Sequence, residues 1–376
     1  MTWIALPVMI VVGYTAVYVL GCLLVAIGVR RLKPNPLPDP LPRVSVVVCA
    51  RNEEHNIARC LENIRAMDYP RDRIEAILVD DESTDRTLEI MREYAERDPL
   101  FRVLSAAEEP RTLPGKQRPL NMGIRESTGE FVLITDADIA VRPGWVRAHL
   151  GTYSESIGIV GGTTRVDTSS GKLFHRLQCC ELVSKHAVAM GCVGLGFPLS
   201  IMGNNISFRR DAYDRIGGLL GMGRSVVEDM AMMNAVVEKT PYTLGWVSDR
   251  GGTVVSAPED SLKAFINQRF RWIFEVSDLA GIGKIMLAME SLMLTSFAAS
   301  LALIPWAAVP LLATIAGWNA GYALFFAPSP GREKGDILYI PVVLAFQMLE
   351  VVLLGRRKLF GGKGMVWKGR EYRRQD

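Results

Sequence analysis

A chain of 376 residues has room for one or two domains, but 49% hydrophobic residues and a mean hydropathy of +0.17 exclude a wholly soluble protein of ordinary composition and assign part of it to lipid. With 43 Lys and Arg against 40 Asp and Glu, the net charge of +3 is too small to mark a nucleic-acid partner, and the basic residues cluster beside apolar segments as on a membrane-surface protein. The cysteines (22, 49, 60, 179, 180, 192) form no C-x-x-C pair, which argues against a disulfide framework or zinc site and reads as reduced, structural thiols.

Residues 1–30 open with an uncharged run, Trp3 to Val29, long enough for the roughly 20 apolar residues that a crossing requires. Its basic residues, Arg30, Arg31 and Lys33, follow the run, so it predicts a transmembrane helix, not a secretory signal, with the soluble part on the cytoplasmic side. Residues 31–42 alternate prolines (Pro34, Pro36, Pro38, Pro40, Pro42) and predict an extended, semi-rigid spacer between bilayer and domain.

Residues 43–284 carry the charged and turn-forming residues and predict one soluble domain. Val44 to Val48 reads as a buried strand, followed by the polar turn Arg51-Asn52-Glu53-Glu54 and a helix through Ile57, Leu61 and Ile64. The unit recurs: Ile74 to Val79 precedes a helix beginning near Ser83 to Asp85, and Phe131 to Thr135 precedes Asp136 and a helix after Pro143. Repeated βα units predict an α/β fold with a mostly parallel sheet and helices on both faces, where ligands bind beyond the strands' carboxyl ends. Asp80, Asp81, Asp136 and Asp138 all follow strands, so carboxylates distant in sequence should meet at one edge.

Beyond this domain, residues 285–355 are largely apolar and predict a C-terminal transmembrane region, with Pro305 and Pro310 in its first stretch and Glu350 in its second. The tail, 356–376, is strongly basic. Two crossings by the first stretch and one by the second would leave it outside; one crossing plus an interfacial piece returns it to the cytoplasm and agrees better with its charge.

Asp136-Ala137-Asp138 after a buried strand suits a hard divalent cation such as Mg²⁺ or Mn²⁺, whose shell diphosphate oxygens can complete. The acidic run Asp80-Asp81-Glu82 is partly helix-capping material, with Ser83 or Asp85 as the cap, but also offers a carboxylate to the N–H of a nucleotide base. In order and spacing the chain then resembles glycosyltransferase family 2, with its GT-A fold, over about residues 44 to 275. The matching motifs are Ala50-Arg51-Asn52-Glu53-Glu54, Asp80-Asp81 through Asp85, Lys116 with Leu120-Asn121 and Gly123, Asp136-Ala137-Asp138, Gly203-Asn204-Asn205, Glu228-Asp229, and Gln268-Arg269-Phe270-Arg271-Trp272.

That resemblance implies Asp138 as the metal ligand, with Asp136 near the ribose and diphosphate or sharing the metal. It implies Asp80 and Glu53 at base and ribose, Ala50, Arg51 and Asp81 in the same pocket, Lys116 near the nucleotide, and Asn204 and Asn205 around donor sugar and acceptor. Asp229, preceded by Glu228, is implied as the base that takes the acceptor proton; the residue-level alternative is two acids opening a helix. Gln268, Arg271 and Trp272 are implied at diphosphate and acceptor, or serve as interfacial anchors. The tail Trp367-Lys368-Gly369-Arg370-Glu371-Tyr372 resembles bacterial members acting on carotenoid-, hopanoid- or ceramide-type acceptors, and equally fits a basic surface against anionic headgroups. The expected activity is inverting, metal-dependent transfer of a hexose such as glucose from a UDP-sugar to a membrane lipid or other hydrophobic hydroxyl, at the bacterial inner membrane with the domain facing the cytoplasm. A processive polysaccharide synthase and a polyprenyl-phosphate sugar synthase are the alternatives; the few apolar segments count against the first.

Overall fold

The computed structural model describes residues 2–110, 112–223, 225, 227–272, 308–360, 364–367 and 370–373. The apolar amino-terminal run is one helix, α1 (Thr2–Arg31). There follow β1 (Val44–Ala50), α2 (Ile57–Arg65), β2 (Ile74–Asp80), α3 (Thr87–Arg97), β3 (Phe101–Ser105), α4 (Gln117–Glu126), β4 (Phe131–Asp136), α5 (Trp145–Leu150), β5 (Ile157–Gly161), β6 (Thr164–Val166) and α6 (Leu173–Gly194). The chain continues through β7 (Asn205–Arg209), α7 (Arg210–Arg215), α8 (Gly218–Met222), α9 (Glu228–Lys239), β8 (Thr243–Trp246), β9 (Val254–Ser256), α10 (Leu262–Trp272), α11 (Ala308–Phe326), α12 (Ile340–Phe360) and the short hairpin β10 (Gly364–Trp367) and β11 (Arg370–Arg373). Two compact units result: an α/β unit of 32–167, 200–258 and 363–376, and a helical unit of 1–31, 168–199 and 259–362.

In the α/β unit a seven-stranded sheet has the order β3-β2-β1-β4-β7-β5-β8. Strands β1, β2, β3 and β4 pair in parallel, as do β5 and β8, while β7 runs antiparallel between β4 and β5. The sheet is therefore mostly parallel, with one reversed strand. Strand alternation explains the two helical layers. Val44, Val46, Val48 and Ala50 of β1 share a core cluster with Ile57, Cys60 and Leu61 of α2, Met91 of α3 and Trp145 of α5. On the opposite face Gly123 of α4 lies so close that a Cβ there would meet Val47 at 2.6 Å and Val79 at 3.0 Å.

The proline-rich segment forms neither helix nor strand and bends at 39–40, and the domain holds it in place. Asn35 donates through its amide nitrogens to Gly151 O at 2.5 Å and Tyr153 O at 3.1 Å, the Tyr69 hydroxyl donates to Pro42 O at 2.6 Å, and Leu37 and Leu41 pack on the core. Each proline lacks an N–H, but the intervening residues keep donors and apolar side chains that the domain uses.

The predicted boundary 43–284 does not coincide with the compact units, because α6 and α10 belong to the helical unit. Helix α6 carries Glu181, Lys185 and His175 but is buried along most of its length: Glu181 and His175 are buried, and the exposed Lys185 turns its ammonium to the buried Glu181 and Glu350. Arg269 reaches Glu181 at 2.6 Å and Lys185 reaches Glu350 at 2.9 Å. Helices α1 and α6 approach through glycines: a Cβ on Gly28 or on Gly194 would collide with the other helix's backbone. Within Asp336–Arg357 lies a helix long and apolar enough to cross a membrane. Much of the first C-terminal apolar stretch, 285–307, and part of the basic tail lie outside the described residues.

Candidate active site

Register brings the carboxylates together. Ala50 at the end of β1 pairs with Asp80 at the end of β2, and Cys49 pairs with Asp136 at the end of β4, so these ends lie side by side on one sheet edge. Because β7 is antiparallel to β4, with Thr135 opposite Asn205, its amino end delivers Gly203 and Asn204 to the same edge. In the turn past β4, Ala137 and Ile139 are buried at 2% and 1%, whereas Asp136 and Asp138 stay partly exposed. Ile139 N closes a turn onto Asp136 O at 3.1 Å, and Ala140 exchanges two backbone bonds with Val255 of β9, which fixes the acidic turn from behind.

The loops after β1 and β2 are stitched to each other by side chains. Asn52 Oδ1 accepts from Thr84 N at 2.8 Å, and the amides of Glu53 and Glu54 donate to Thr87 Oγ1 at 2.7 Å and Asp85 Oδ2 at 3.1 Å. Both loops contain a non-glycine residue at positive φ, Asn52 at 54° and Glu82 at 58°, a conformation held by these neighbours. Neither Ser83 nor Asp85 is the cap, since Arg86 holds the N-cap position without a side-chain bond, but Asp85 accepts from the Thr87 amide: burial would raise its pKa, yet the Thr87 hydroxyl and amide and the Glu54 amide outweigh that and lower it. Asp80 is 2% exposed and accepts the long Ser83 amide bonds, 3.3 Å to each oxygen, along with a hydrogen bond from the Ser83 side chain. Burial, with the Asp81 and Asp85 charges behind it, raises its pKa despite those bonds.

Asp81 departs from the expected role. Its Oδ1 accepts from Arg118 at 2.9 Å, both residues are 6% exposed, and its backbone carbonyl accepts from Arg51 at 2.6 Å. This is a buried charge pair, and together with Arg51 it holds the loop. Arg118, which the sequence did not single out, follows Lys116 by two positions but points to the other loop.

Lys116 sits at the amino end of α4 after Gly115, whose φ of +49° turns the chain. Its ammonium donates to Asp136 Oδ1 and lies 3.8 Å from Glu228 Oε1. Burial would lower its pKa, but the Asp136 and Glu228 charges prevail and raise it. Gln117 beside it is fully buried and clamps the segment leading to Glu228, donating to Gly223 O and accepting from Ser225 N, both at 3.1 Å. No periodicity in the sequence marks that role.

Glu228 and Asp229 open α9, so the residue-level alternative holds as well as the convergence. Burial pushes Glu228 up to about 7, against the opposing Lys116 charge. Burial likewise raises Asp229, whose Oδ2 accepts from Gly203 N at 2.6 Å and Oδ1 from Met230 N at 2.7 Å. Two fixed N–H bonds orient the carboxylate and leave it lone pairs to spare.

Asn204 and Asn205 separate. Asn204 is partly exposed and fixed by Thr164 Oγ1 at 2.8 Å, whereas Asn205 is fully buried beneath the site. Its Oδ1 accepts from Trp145 Nε1 at 2.8 Å and His149 Nε2 at 3.0 Å, and its Nδ2 donates to Thr163 O and Gly252 O at 3.0 Å each. Asn205 therefore has no donor or acceptor left for a sugar, which corrects its expected ligand role. His149 continues the network to Ser207 and Tyr153, and burial pulls its pKa down to about 4. Glu53 carries its carboxylate to Asn56 Nδ2 at 2.9 Å. Gln268, Arg271 and Trp272 end α10 in the helical unit, where Gln268 Nε2 donates to Glu259 at 2.9 Å and the Arg269 guanidinium stacks 4.1 Å from the Trp272 ring.

Among the described residues no group of three or more His, Cys, Asp or Glu side chains converges as a ready-made metal cage. The two partly exposed carboxylates of Asp136 and Asp138, two residues apart, nevertheless fit a Mg²⁺- or Mn²⁺-type ion, which takes one or two carboxylates and leaves positions for phosphate and water. Asp136 already holds a cation, the Lys116 ammonium.

The profile of the glycosyl transferase family 2 matches residues 45–229, the span from β1 to the Asp229 that faces Gly203. Over this segment, just under half of its length, the chain is similar to that family. A probable glycosyltransferase of Bacillus subtilis, YdaM, is 33% identical over 240 residues, 62% of this chain and 54% of that protein. A beta-monoglucosyldiacylglycerol synthase of Nostoc sp. is 27% identical over 221 residues, 55% of this chain and 46% of that one. The chain thus spans about half the length of these relatives. Among solved structures, a mannosyltransferase from Pyrobaculum calidifontis in complex with GDP-Man and Mn²⁺ superposes with a TM-score of 0.55 at 22% identity, covering 94% of this chain and 99% of that one. The fold is GT-A-like.

Proposed function

We propose that this protein transfers a hexose from a nucleotide-diphosphate sugar, a UDP-sugar by preference, to a hydroxyl of a membrane lipid, with inversion at the anomeric carbon. The observation that carries the reading is the single sheet edge shared by Asp80, Asp136, Asp138, Lys116 and the Glu228-Asp229 pair. Asp80, at the end of β2 on this edge, receives the nucleotide base. Asp138 and Asp136 would hold the divalent ion, whose chemistry is to neutralise charge on the departing diphosphate. Asp229, oriented by the Gly203 and Met230 amides, takes the acceptor proton, and its raised pKa makes it a stronger base than an ordinary carboxylate. Glu228 and Lys116 supply the charge balance beside it.

A lipid acceptor is supported by the name of the cyanobacterial relative and by the apolar surface of the helical unit. On α1, Met9, Val12, Val17 and Leu20 are each more than half exposed, a face that water disfavours and a bilayer accepts. The reading sets the protein in the bacterial inner membrane, catalytic unit toward the cytoplasm. To test it, detergent-purified protein is incubated with labelled UDP- and GDP-hexoses, Mn²⁺ and bacterial lipid extract. Label in an organic-soluble glycolipid is expected; label confined to a water-soluble polymer, or no transfer from any donor, would overturn it.

A further inference from the structure

The edge is already neutralised in part by a cation of the chain's own. The ion pairs formed by Asp136 and Glu228 are both with Lys116, although these acids lie far apart in sequence and come from different elements, the end of β4 and the start of α9. Lysine suits such a post because its ammonium is a compact charge on a flexible stem, with donors that re-aim by rotation. The Lys116 side chain is 19% exposed and that of Asp136 34%, so both remain open to exchange. By contrast Arg118, which neutralises Asp81, is buried at 6% and shares a second bond with Glu82 at 3.1 Å, a fixed pair.

We propose that Lys116 is a placeholder cation: in the nucleotide-free protein its ammonium occupies the Asp136 and Glu228 carboxylates, suppresses divalent-metal binding there, and is released toward the donor diphosphate when metal and nucleotide arrive together. The argument is one of charge. A divalent ion at Asp136 and Asp138 and an ammonium on the same Asp136 oxygen repel each other, so the ion cannot take full advantage of the carboxylate while Lys116 stays. A diphosphate brings negative charge that the freed ammonium can pair with, so metal and nucleotide bind cooperatively with no domain movement required. This rests on the site being a nucleotide-sugar site, and it adds an order of events: metal alone binds weakly, metal with nucleotide binds well.

The test is Mn²⁺ binding followed by electron paramagnetic resonance, on the full chain in detergent, with and without UDP. In the parent protein Mn²⁺ alone should bind weakly and UDP should strengthen it. Lys116→Met should tighten nucleotide-free Mn²⁺ binding by about tenfold, equivalent to about 1.4 kcal/mol, and weaken the cooperativity with UDP. Lys116→Arg, keeping the charge, should not tighten it. Unchanged or weaker metal binding by Lys116→Met, or tightening by both variants, would overturn the placeholder role while leaving the metal site standing. Absence of Mn²⁺ binding in the parent even with UDP would overturn the metal site and this proposal together. A readout on the unaltered sequence guards against a misfolded variant: acylation of Lys116 by an amine-reactive ester, followed by peptide mass spectrometry. Saturating Mn²⁺ should speed that labelling and added UDP should slow it; a rate that Mn²⁺ leaves unchanged overturns the proposal.

Discussion

Asparagine at position 229 is the usual way to remove a carboxylate base without changing shape, but the geometry makes it a compound perturbation. Both carboxylate oxygens accept backbone N–H groups, Gly203 at 2.6 Å and Met230 at 2.7 Å. Asparagine has one oxygen, so one of these donors must face an NH₂ group. A hydrogen bond to a charged group is worth about 1.5–3 kcal/mol, and the Gly203 loop has no slack, since even a Cβ on Gly203 would stand 3.1 Å from Asp229 Oδ2. Asp229→Asn should therefore lower stability by about 1–3 kcal/mol, several degrees in Tm for a unit of this size. It should also cut kcat by about 10²–10⁴ through loss of the base. The two effects separate by assay: calorimetric binding of UDP with Mn²⁺ should survive, and melting should shift modestly. Because burial raises the Asp229 pKa, the acid limb of kcat/KM in the parent should lie above the ordinary carboxylate range, and it should vanish in the residual activity of the variant. Turnover near the parent's would remove Asp229 from the base role; an unshifted Tm would refute the two-amide geometry.

Further outcomes follow from the same contacts. Asp138→Asn should abolish transfer, as should excess chelator with recovery on adding Mn²⁺, both read by the labelled-donor assay. Arg118→Ala leaves Asp81 buried without its cation and should cost about 3–5 kcal/mol, seen as a large Tm loss in denaturation with little change in donor KM among molecules still folded. Asn205→Leu strands the Trp145 and His149 ring N–H groups and should destabilise by about 2–4 kcal/mol, where a sugar-contacting role would instead raise KM. His149, pulled down to about 4 from 6.5, is neutral in the fold. Above pH 6.5 neither state is protonated and the residue is silent. Between pH 6.5 and 4 only the unfolded chain gains the proton, so stability should fall by up to about 3 kcal/mol; His149→Gln should flatten that part of the curve in urea unfolding.

The strands and their carboxyl-end acids were legible because buried parallel strands write themselves as short β-branched runs, and a parallel register aligns their ends whatever lies between. Val44, Ile74 and Phe131 start strands that finish together at Ala50, Asp80 and Asp136. Pairings across long sequence distance were not legible. Nothing near Asp81 announces Arg118, and nothing in α6 announces that Glu181 will meet Arg269 from α10; charged residues read as surface unless their partners are known. The Pro-rich segment was read from its prolines, whereas its docking depends on Asn35, Leu37 and Leu41 between them.

Asn204 and Asn205 give the sharpest case, because the sequence presents two identical side chains after a glycine and the fold treats them oppositely. Adjacent residues in a strand face opposite sides, so one of them must point inward, but the phase is fixed only when a partner strand is chosen. Here β7 pairs antiparallel with β4, Thr135 against Asn205, and that register turns Asn205 to Trp145 and His149 while leaving Asn204 at the edge. Shifting the register by one residue would bury Asn204 and expose Asn205. What selects the phase is the rest of the strand: Ser207 meets His149 and Tyr153 on the same side as Asn205, while Ile206 and Phe208 pack fully buried on the other. Which of the two asparagines stays at the edge is thus decided two to four residues away, by the other side chains of the same strand.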